Sequence, residues 1–388
     1  EYLMKELKEM MPTKKLVIIL DEKNTNIEDL DELLDPCKKY ISLVRIAISP
    51  DKFDMAIPLA KEIKKKGFEV GFNIMYMSSW LENKDFLDKI PKVDGIVDYF
   101  YMVDSYGGIL PNDVIEITNF VKSKTSTLIG FHGHDNMEMG LINSITAIDL
   151  GCSIIDSTIT GMGRGAGNLK TELLMTYLAS KMNWDISFDA LSGIVDSFEK
   201  MQHSYRWGTN LPYMVSGAYS LPQKDVMNWM SKRRYSISGI VNALQEQVFD
   251  NEILNFPELK KESVFSKAII IGGGDEHKCV LPFKRSMGSF VPKEIVNHTY
   301  VLPQNRFVDK YEDSPLAIAI ELSVFFGIKK IDFIGYDGYD ITKDKSEFEI
   351  AKENQYLFDK LKASDIDFCS LTNTKYQIKE SSIYSKIK

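Results

Sequence analysis

Residues 130–168 read GFHGHDNMEMGLINSITAIDLGCSIIDSTITGMGRGAGN. A β-rich run over 127–131 feeds into this stretch, a helical pattern follows, and a second β-rich run covers 153–159 before a glycine-rich loop. Alternation along a strand puts His132 and His134 on one face. From the carboxyl end of a barrel strand, two imidazoles so spaced can reach one divalent metal at the catalytic rim. A pair of ordinary polar loop histidines has the same spelling. No histidine-rich tract explains the pair, since the other three of the five histidines, His203, His277 and His298, lie elsewhere.

In the loop that closes the stretch, Gly161, Gly163, Gly165 and Gly167 let the backbone turn tightly and approach a ligand. The loop lacks a Walker Lys-Ser/Thr, and its spacing is not GxGxxG. Asn168, which ends it, suits either metal ligation or the cap of the next helix. A third segment, YMVDSYGG at 101–108, brings Asp104, Ser105 and a glycine turn to another strand end. A structural aspartate capping the following helix reads equally well there.

Outward from these segments, strands are expected over 15–20, 42–48, 69–75 and 98–103, with helices over 55–66 and 111–123 between them. Pro111 suits the first position of a helix, where its missing N–H costs nothing. Most of the strands are apolar on both faces, as in LVIIL and LVRIAI, which fits a parallel sheet covered by helices. The alternation predicts α/β architecture, either a doubly wound sheet or a (β/α) barrel. Six strand–helix units are legible where a closed barrel has eight. The barrel alternative therefore expects two strands ahead of Glu1, with residues 1–11 as the helix after them.

Residues 171–250 are expected to be mostly helical, interrupted by an aromatic, turn-rich stretch at 205–223. A linker with Pro257 and a Lys/Glu cluster is expected over 251–266. Beyond it a new α/β pattern begins with AIIIGGG at 268–274. The three glycines there form either a phosphate cradle or a tight turn. The expected division is a partial barrel over 1–225, a helical region and linker over 226–262, and a second α/β domain over 263–388.

The chain has 388 residues, 44% hydrophobic and 26% charged, which argues against wholesale disorder, collagen and coiled coil. Lys+Arg 47 against Asp+Glu 55 leaves a net charge of −8, with no global electrostatic pull toward nucleic acid or anionic membrane. Cys37, Cys152, Cys279 and Cys369 are scattered without a CxxC pair, which suits free thiols. No apolar stretch approaches the ~18 residues of a membrane span. A cytoplasmic enzyme is the expectation.

Taken together and in order, LVRIAIS, FEVGFNIMYMSSW, YFYMVDSYGG, the 130–168 stretch and TELL resemble the DRE-type metal-dependent aldolase and acyl-transferase barrels, the HMG-CoA lyase-like family. Within it the likeness is greatest to the 4-hydroxy-2-oxovalerate aldolases, over residues 1–225. The resemblance implies a (β/α)8 TIM barrel and a divalent cation, Mn2+ or Mg2+, held by an aspartate and the two histidines. His132 and His134 match that pair, and Asn168 matches a further ligand of some members. Asp104, Ser105 and, on the LVRIAIS strand, Arg45 fall at the substrate pocket. Tyr213 is the candidate for a catalytic tyrosine, with packing as its other explanation.

The implied activity is a carbon–carbon lyase acting on a 2-oxo acid and an aldehyde through a metal-stabilised enolate, in a homodimer. A Claisen-type condensation of acyl-CoA with a 2-oxo acid, or a non-catalytic barrel scaffold, are the alternatives. The family's first-strand Thr-Leu-Arg-Asp-Gly-type motif, source of the metal-binding aspartate, has no counterpart here. An N-terminally truncated barrel, inactive as it stands, is therefore expected. Residues 263–388 look Rossmann-like and are faintly similar to nucleotide-sugar-using transferases of surface-glycan synthesis. That likeness implies a nucleotide or nucleotide-sugar partner and carries over no catalytic residue; Asp337, Tyr339 and Asp340 sit where a strand end would offer a ligand site, with exposed turn acids as the commoner explanation.

Overall fold

The computed structural model describes residues 2–232, 235, 237–249, 267–271, 307–311, 314–339, 345–382 and 384. The chain divides into two compact units, Glu1–Gln223 and Lys224–Lys388.

The first unit is built on strands β1 (Leu16–Asp21), β2 (Ile41–Ile48), β3 (Glu69–Ile74), β4 (Tyr99–Asp104), β5 (Leu128–Gly133) and β6 (Ile154–Ile155). They pair in that order and all in parallel. Helices α1 (Tyr2–Met10), α2 (Leu30–Leu34), α3 (Phe53–Lys65), α4 (Lys84–Lys89), α5 (Pro111–Lys124) and α6 (Gly140–Asp149) punctuate the strands. The sheet is curled with its helices outside, a TIM-barrel wall.

Period-two alternation sorts the strand side chains. Val44, Ile46, Phe72, Phe100, Met102, Ile129 and Phe131 point outward into one core with Phe53, Ala56, Leu59 and Ile63 of α3 and Val114, Ile117 and Val121 of α5. Edge-to-face rings, Phe53 on Phe72 at 5.8 Å and Trp80 on Phe100 at 5.9 Å, fill the layer between sheet and helices. Burial of such side chains stabilises the unit by roughly 1.5–3 kcal/mol each.

The other face of the strands lines the concave interior. Register sets Arg45 beside Gly71, and Asn73 beside Tyr101, which in turn faces Gly130. The Tyr101 ring lies across both glycines. A Cβ on Gly130 would come within 2.4 Å of the ring, and one on Gly71 within 3.2 Å. The Arg45 guanidinium covers the ring at 3.7 Å from its centroid. On β1 the same face carries Val17 and Ile19, 46% and 55% exposed.

Two expectations are corrected. The strand expected over 153–159 shrinks to β6, because only Ile154 and Ile155 stay in register with β5. Beyond them Thr158 pairs instead with the returning chain, its N–H donating to Leu169 O at 2.9 Å. The turn-rich stretch at 205–223 contains a helix. After α7 (Thr171–Met182) and α8 (Phe188–Tyr205) comes α9 (Leu211–Ala218), started by the Asn210 side chain accepting from Tyr213 N, with Pro212 in its first turn.

Helix α10 (Gln223–Lys232) leads into the second unit, followed by α11 (Ile237–Phe249), β7 (Lys267–Ile271), α12 (Pro315–Phe325), β8 (Lys330–Ile334), α13 (Lys345–Lys362) and β9 (Asp367–Ser370). Its strands form a parallel sheet in the order β7-β8-β9. Leu316, Ala317 and Ile320 of α12 and Leu357, Phe358 and Leu361 of α13 pack with Ile331 and Phe333 of β8. The linker over 251–266, Gly272, Gly273, Gly274, Cys279 and Asp340 lie outside the described residues. No helix among the described residues is long and apolar enough to cross a membrane.

Because Tyr101 occupies the space a side chain at Gly130 would need, Gly130→Ala should lower unfolding free energy by about 1–3 kcal/mol, the usual cost of overpacking. Urea denaturation midpoints of wild type and variant measure it, and an unchanged midpoint would contradict the close approach.

Candidate metal centre

Five consecutive strands each send one side chain into the concave interior, and four of the five are joined. Arg45 of β2 donates from Nε to Asn73 Oδ1 of β3 at 2.6 Å. Its Nη1 and Nη2 donate to the two oxygens of Asp156, just past β6, at 2.9 and 2.5 Å. Asp156 Oδ2 also meets His132 Nδ1, at the end of β5, at 2.8 Å. Tyr101 of β4 forms the floor beneath Arg45, its phenol pushed up to about 12 by burial.

Burial would raise the Asp156 carboxyl, but the hydrogen bonds from His132 and Arg45, with their charges, outweigh it and hold the carboxyl down to about 2. Asp156 is therefore an anion and can only accept, so His132 Nδ1 carries the hydrogen. His134 Nδ1 meets the Asp104 carbonyl oxygen at 2.6 Å, another pure acceptor, and must donate as well. Burial, aided by the neighbouring His132, lowers His134 to about 4, so this ring is neutral at physiological pH. The two rings sit 4.9 Å apart between centroids. In its neutral form each ring keeps its lone pair on Nε2, the arrangement usual for metal-bound imidazoles whose other nitrogen is held by a carboxylate or a carbonyl.

Asn168 supplies a third donor. The glycine loop folds back so that Asn168 bridges His134 backbone to backbone, with Asp135 N donating to Gly167 O at 3.0 Å. Its Nδ2 donates to Met162 O, while its Oδ1 is buried with no partner among the described residues. Glycine is required for this fold-back. A Cβ on Gly163 would lie 2.6 Å from Asn168 Nδ2, and one on Gly167, where φ is +83°, would lie 2.3 Å from Gly161 O. The loop is thus a device for seating Asn168.

Two Nε2 lone pairs and an orphaned amide oxygen suit a divalent cation of borderline hardness. Among the described residues no cluster of three or more His, Cys, Asp and Glu could hold a metal, so the set depends on the asparagine.

The remaining candidates take other positions. Asp104 shares the outward parity of Phe100 and Met102 and is 1% exposed. Its Oδ1 accepts from Gly107 N at 2.9 Å, which folds the turn after β4, while its carbonyl aims His134. Ser105 Oγ accepts from Tyr76 N at 2.8 Å and ties the β3 and β4 loops together. Arg45 is committed to Asp156 and Asn73. Tyr213 is buried on α9 with its ring against Gly165, and no hydrogen bond or ring pair joins it to His132 or His134 among the described residues. Asn136, whose part sequence reasoning missed, holds α9 to the β5 loop. Its Nδ2 donates to Tyr213 O at 3.0 Å and its Oδ1 accepts from Gln223 Nε2 at 2.7 Å.

Comparison with known proteins agrees with this architecture. A family model described as HMGL-like matches residues 43–196. The solved N-terminal domain of a candidate aldolase from Bacteroides vulgatus is 52% identical, with a TM-score of 0.59, over 62% of this chain and 80% of that one. The chain belongs to the HMGL-like family. Among curated HMGL-like relatives, an oxaloacetate decarboxylase of Mycobacterium tuberculosis is 32% identical over 166 residues, 41% of this chain and 49% of that protein. A 4-hydroxy-2-oxovalerate aldolase of Geobacillus thermodenitrificans is 31% identical over 166 residues, 42% and 47% of the two chains. The chain thus spans about half the length of the curated relatives it matches. The carboxyl transferase domain of Rhizobium etli pyruvate carboxylase, 14% identical with a TM-score of 0.51 over 63% of this chain and 44% of that one, shares the fold.

Burial pushes the Asp104 carboxyl from 3.8 up to about 7, against the pull of the Gly107, Gly108 and Ile109 N–H groups. A carboxyl raised on folding stabilises fully below its unfolded pKa, and the contribution is lost as pH rises through the folded value. Asp104→Asn should therefore gain on the wild type by roughly 4 kcal/mol between pH 4 and 7, at ~1.4 kcal/mol per unit. Paired urea curves across that range measure the gain, and a constant difference between them would contradict it.

Proposed function

We propose that the protein is a divalent-metal-dependent carbon–carbon lyase that cleaves a 2-oxo acid at the bond to C3. The observation that carries this is the donor set, with two imidazoles fixed as Nδ1–H donors and, on Asn168, whose backbone bridges that of His134, an Oδ1 that is buried without a partner among the described residues. His132, His134 and Asn168 would hold the cation, Mn2+ or Mg2+. When bound, the cation supplies a Lewis acid for the ketone oxygen of the substrate.

The names of the relatives support the substrate class. Oxaloacetate and 4-hydroxy-2-oxovalerate are both 2-oxo acids. Loss of carbon dioxide from one, and of an aldehyde from the other, leaves the electron pair of the broken bond on C3 beside the ketone.

The chain's own residues do the positioning. The Asp104 carbonyl and the Asp156 carboxylate hold the two rings by Nδ1, so no ring rotation has to be frozen when the ligand binds. Neutral His134 adds no positive charge that would compete with a cation. Tyr101 and the Arg45–Asp156 pair seal the interior beneath the rings.

The protein expressed from its native gene should release pyruvate from oxaloacetate in the presence of Mn2+, followed by coupling to lactate dehydrogenase. His134→Ala should lower kcat at least ~100-fold, beyond the 10–100-fold typical of losing a partner that merely orients a metal ligand. Equal turnover in the variant, or in wild type stripped with EDTA, would reject the assignment.

The orphaned amide yields a separate expectation. Asn168→Ala should weaken Mn2+ binding by about 10–100-fold with little change in melting temperature, since among the described residues the side chain's one hydrogen bond goes to Met162 O. Calorimetric titration reads the affinity, and an unaltered Kd would remove Asn168 from the ligand set.

A further inference from the structure

We infer that Arg164 selects the substrate by pairing with a second carboxylate at the far end of the 2-oxo acid, so that the carbonyl fragment parted from C3 is itself an oxo acid. The inference deepens the proposed function and rests on that reading for the cation that takes the near end.

Arg164 stands at the crest of the glycine loop. On one side is Gly163, where a Cβ would lie 2.6 Å from Asn168 Nδ2, and on the other is Gly165, where one would lie 3.0 Å from the Tyr213 ring. Gly167 N donates to Arg164 O at 3.1 Å, and Gly208 N donates to Gly165 O at 3.0 Å. The backbone of Arg164 is therefore fixed between the candidate ligand Asn168 and helix α9. The residue itself is exposed, and its side chain has no hydrogen-bond or ion-pair partner among the described residues. Its positive charge is close enough to help lower His134.

Arg45 differs in having its charge met by Asp156. A cation on His132, His134 and Asn168 would repel a guanidinium four residues from Asn168 unless an anion lay between them. A substrate with a carboxylate at each end meets both charges. Its ketone and C1 carboxylate are hard oxygen ligands suited to the cation, which leaves the guanidinium for the other end. There the planar fork matches two carboxylate oxygens, as a lysine ammonium does not. The class that fits is a 4-hydroxy-2-oxo acid with a further carboxylate beyond C3. When its C3–C4 bond breaks, the electron pair goes to C3, and C4 becomes a carbonyl as its hydroxyl loses a proton. C3 then takes up one proton, so pyruvate and an oxo acid result without any oxidant or reductant.

The test is calorimetric titration of the protein expressed from its native gene, with Mn2+ and with EDTA, using two acids that lack a 4-hydroxyl and so are not cleaved. 2-Oxoglutarate ends in a carboxylate, whereas 2-oxopentanoate, of equal chain length, ends in a methyl. With Mn2+, wild type should bind 2-oxoglutarate about 10-fold more tightly, the factor expected of a hydrogen bond to a charged group. Arg164→Gln should bring that ratio to about 1, and Arg164→Lys, which keeps the charge but not the fork, should retain part of it. In condensation with pyruvate, the ratio of kcat/KM for glyoxylate over that for acetaldehyde should fall by a like factor in Arg164→Gln. Equal affinity of wild type for the two acids, or a preference that Arg164→Gln keeps, would overturn the inference. Mn2+-dependent binding of both acids in that case would leave the metal-dependent function standing. A preference lost in Arg164→Gln yet undiminished by EDTA would uphold the part of Arg164 and reject the metal instead. Binding of neither acid would overturn both.

Discussion

The first unit depends on one ion pair. Arg45 lies on the second strand of the sheet and Asp156 just past the sixth, 111 residues later, yet their charged atoms approach to 2.5 Å. Four strand spacings in a flat sheet amount to about 19 Å, beyond the combined reach of the two side chains. The contact forms only if the sheet curls, and every inward residue between the two strands shares the space so enclosed. Removing one partner would leave a buried charge unpaired, at a cost of about 3–5 kcal/mol. Curvature and electrostatics are thus a single constraint on this fold.

From that constraint the site follows. Curling crowds the interior, so Gly71 and Gly130 stand where Tyr101 must lie flat, and Tyr101 in turn supports the guanidinium. With Asp156 held, His132 has a fixed acceptor. His134, two residues on, reaches past the strand end to the Asp104 carbonyl, whose position is set by the Asp104 carboxyl folding the turn beneath it. The glycine loop then brings Asn168 alongside. The two rings and the amide come from two neighbouring strand ends, and each is immobilised by a hydrogen bond made through Nδ1 or Nδ2.

Much of this was legible in the sequence. LVRIAI and YFYMVD are apolar on both faces because one side packs on helices and the other on the barrel interior, and this pattern gave β1 to β5 to within a residue or two, whereas the strand expected over 153–159 is only Ile154–Ile155. That His132 and His134 share a face was legible because period-two alternation is rigid. The role of Asp156 was not read, although Arg45 in the middle of an apolar strand was the signal, since a buried guanidinium needs a carboxylate. Asp104 looked like a site acid from its place at a strand end, whereas parity with Phe100 and Met102 turns its side chain under the loop. Helix α9 was hidden because Gly, Pro and aromatic residues crowd 205–223. Asn210 followed by Pro212, a cap and a first-turn proline, was the available clue.

The central claim is that His132 Nε2, His134 Nε2 and Asn168 Oδ1 converge on one cation. The most direct measurement is anomalous diffraction from crystals of the protein soaked in Mn2+. A single anomalous peak within about 2.3 Å of all three atoms, near the usual lengths for such ligands, is the predicted result. A peak absent there, or bound by carboxylates elsewhere with His132 and His134 untouched, would contradict the account.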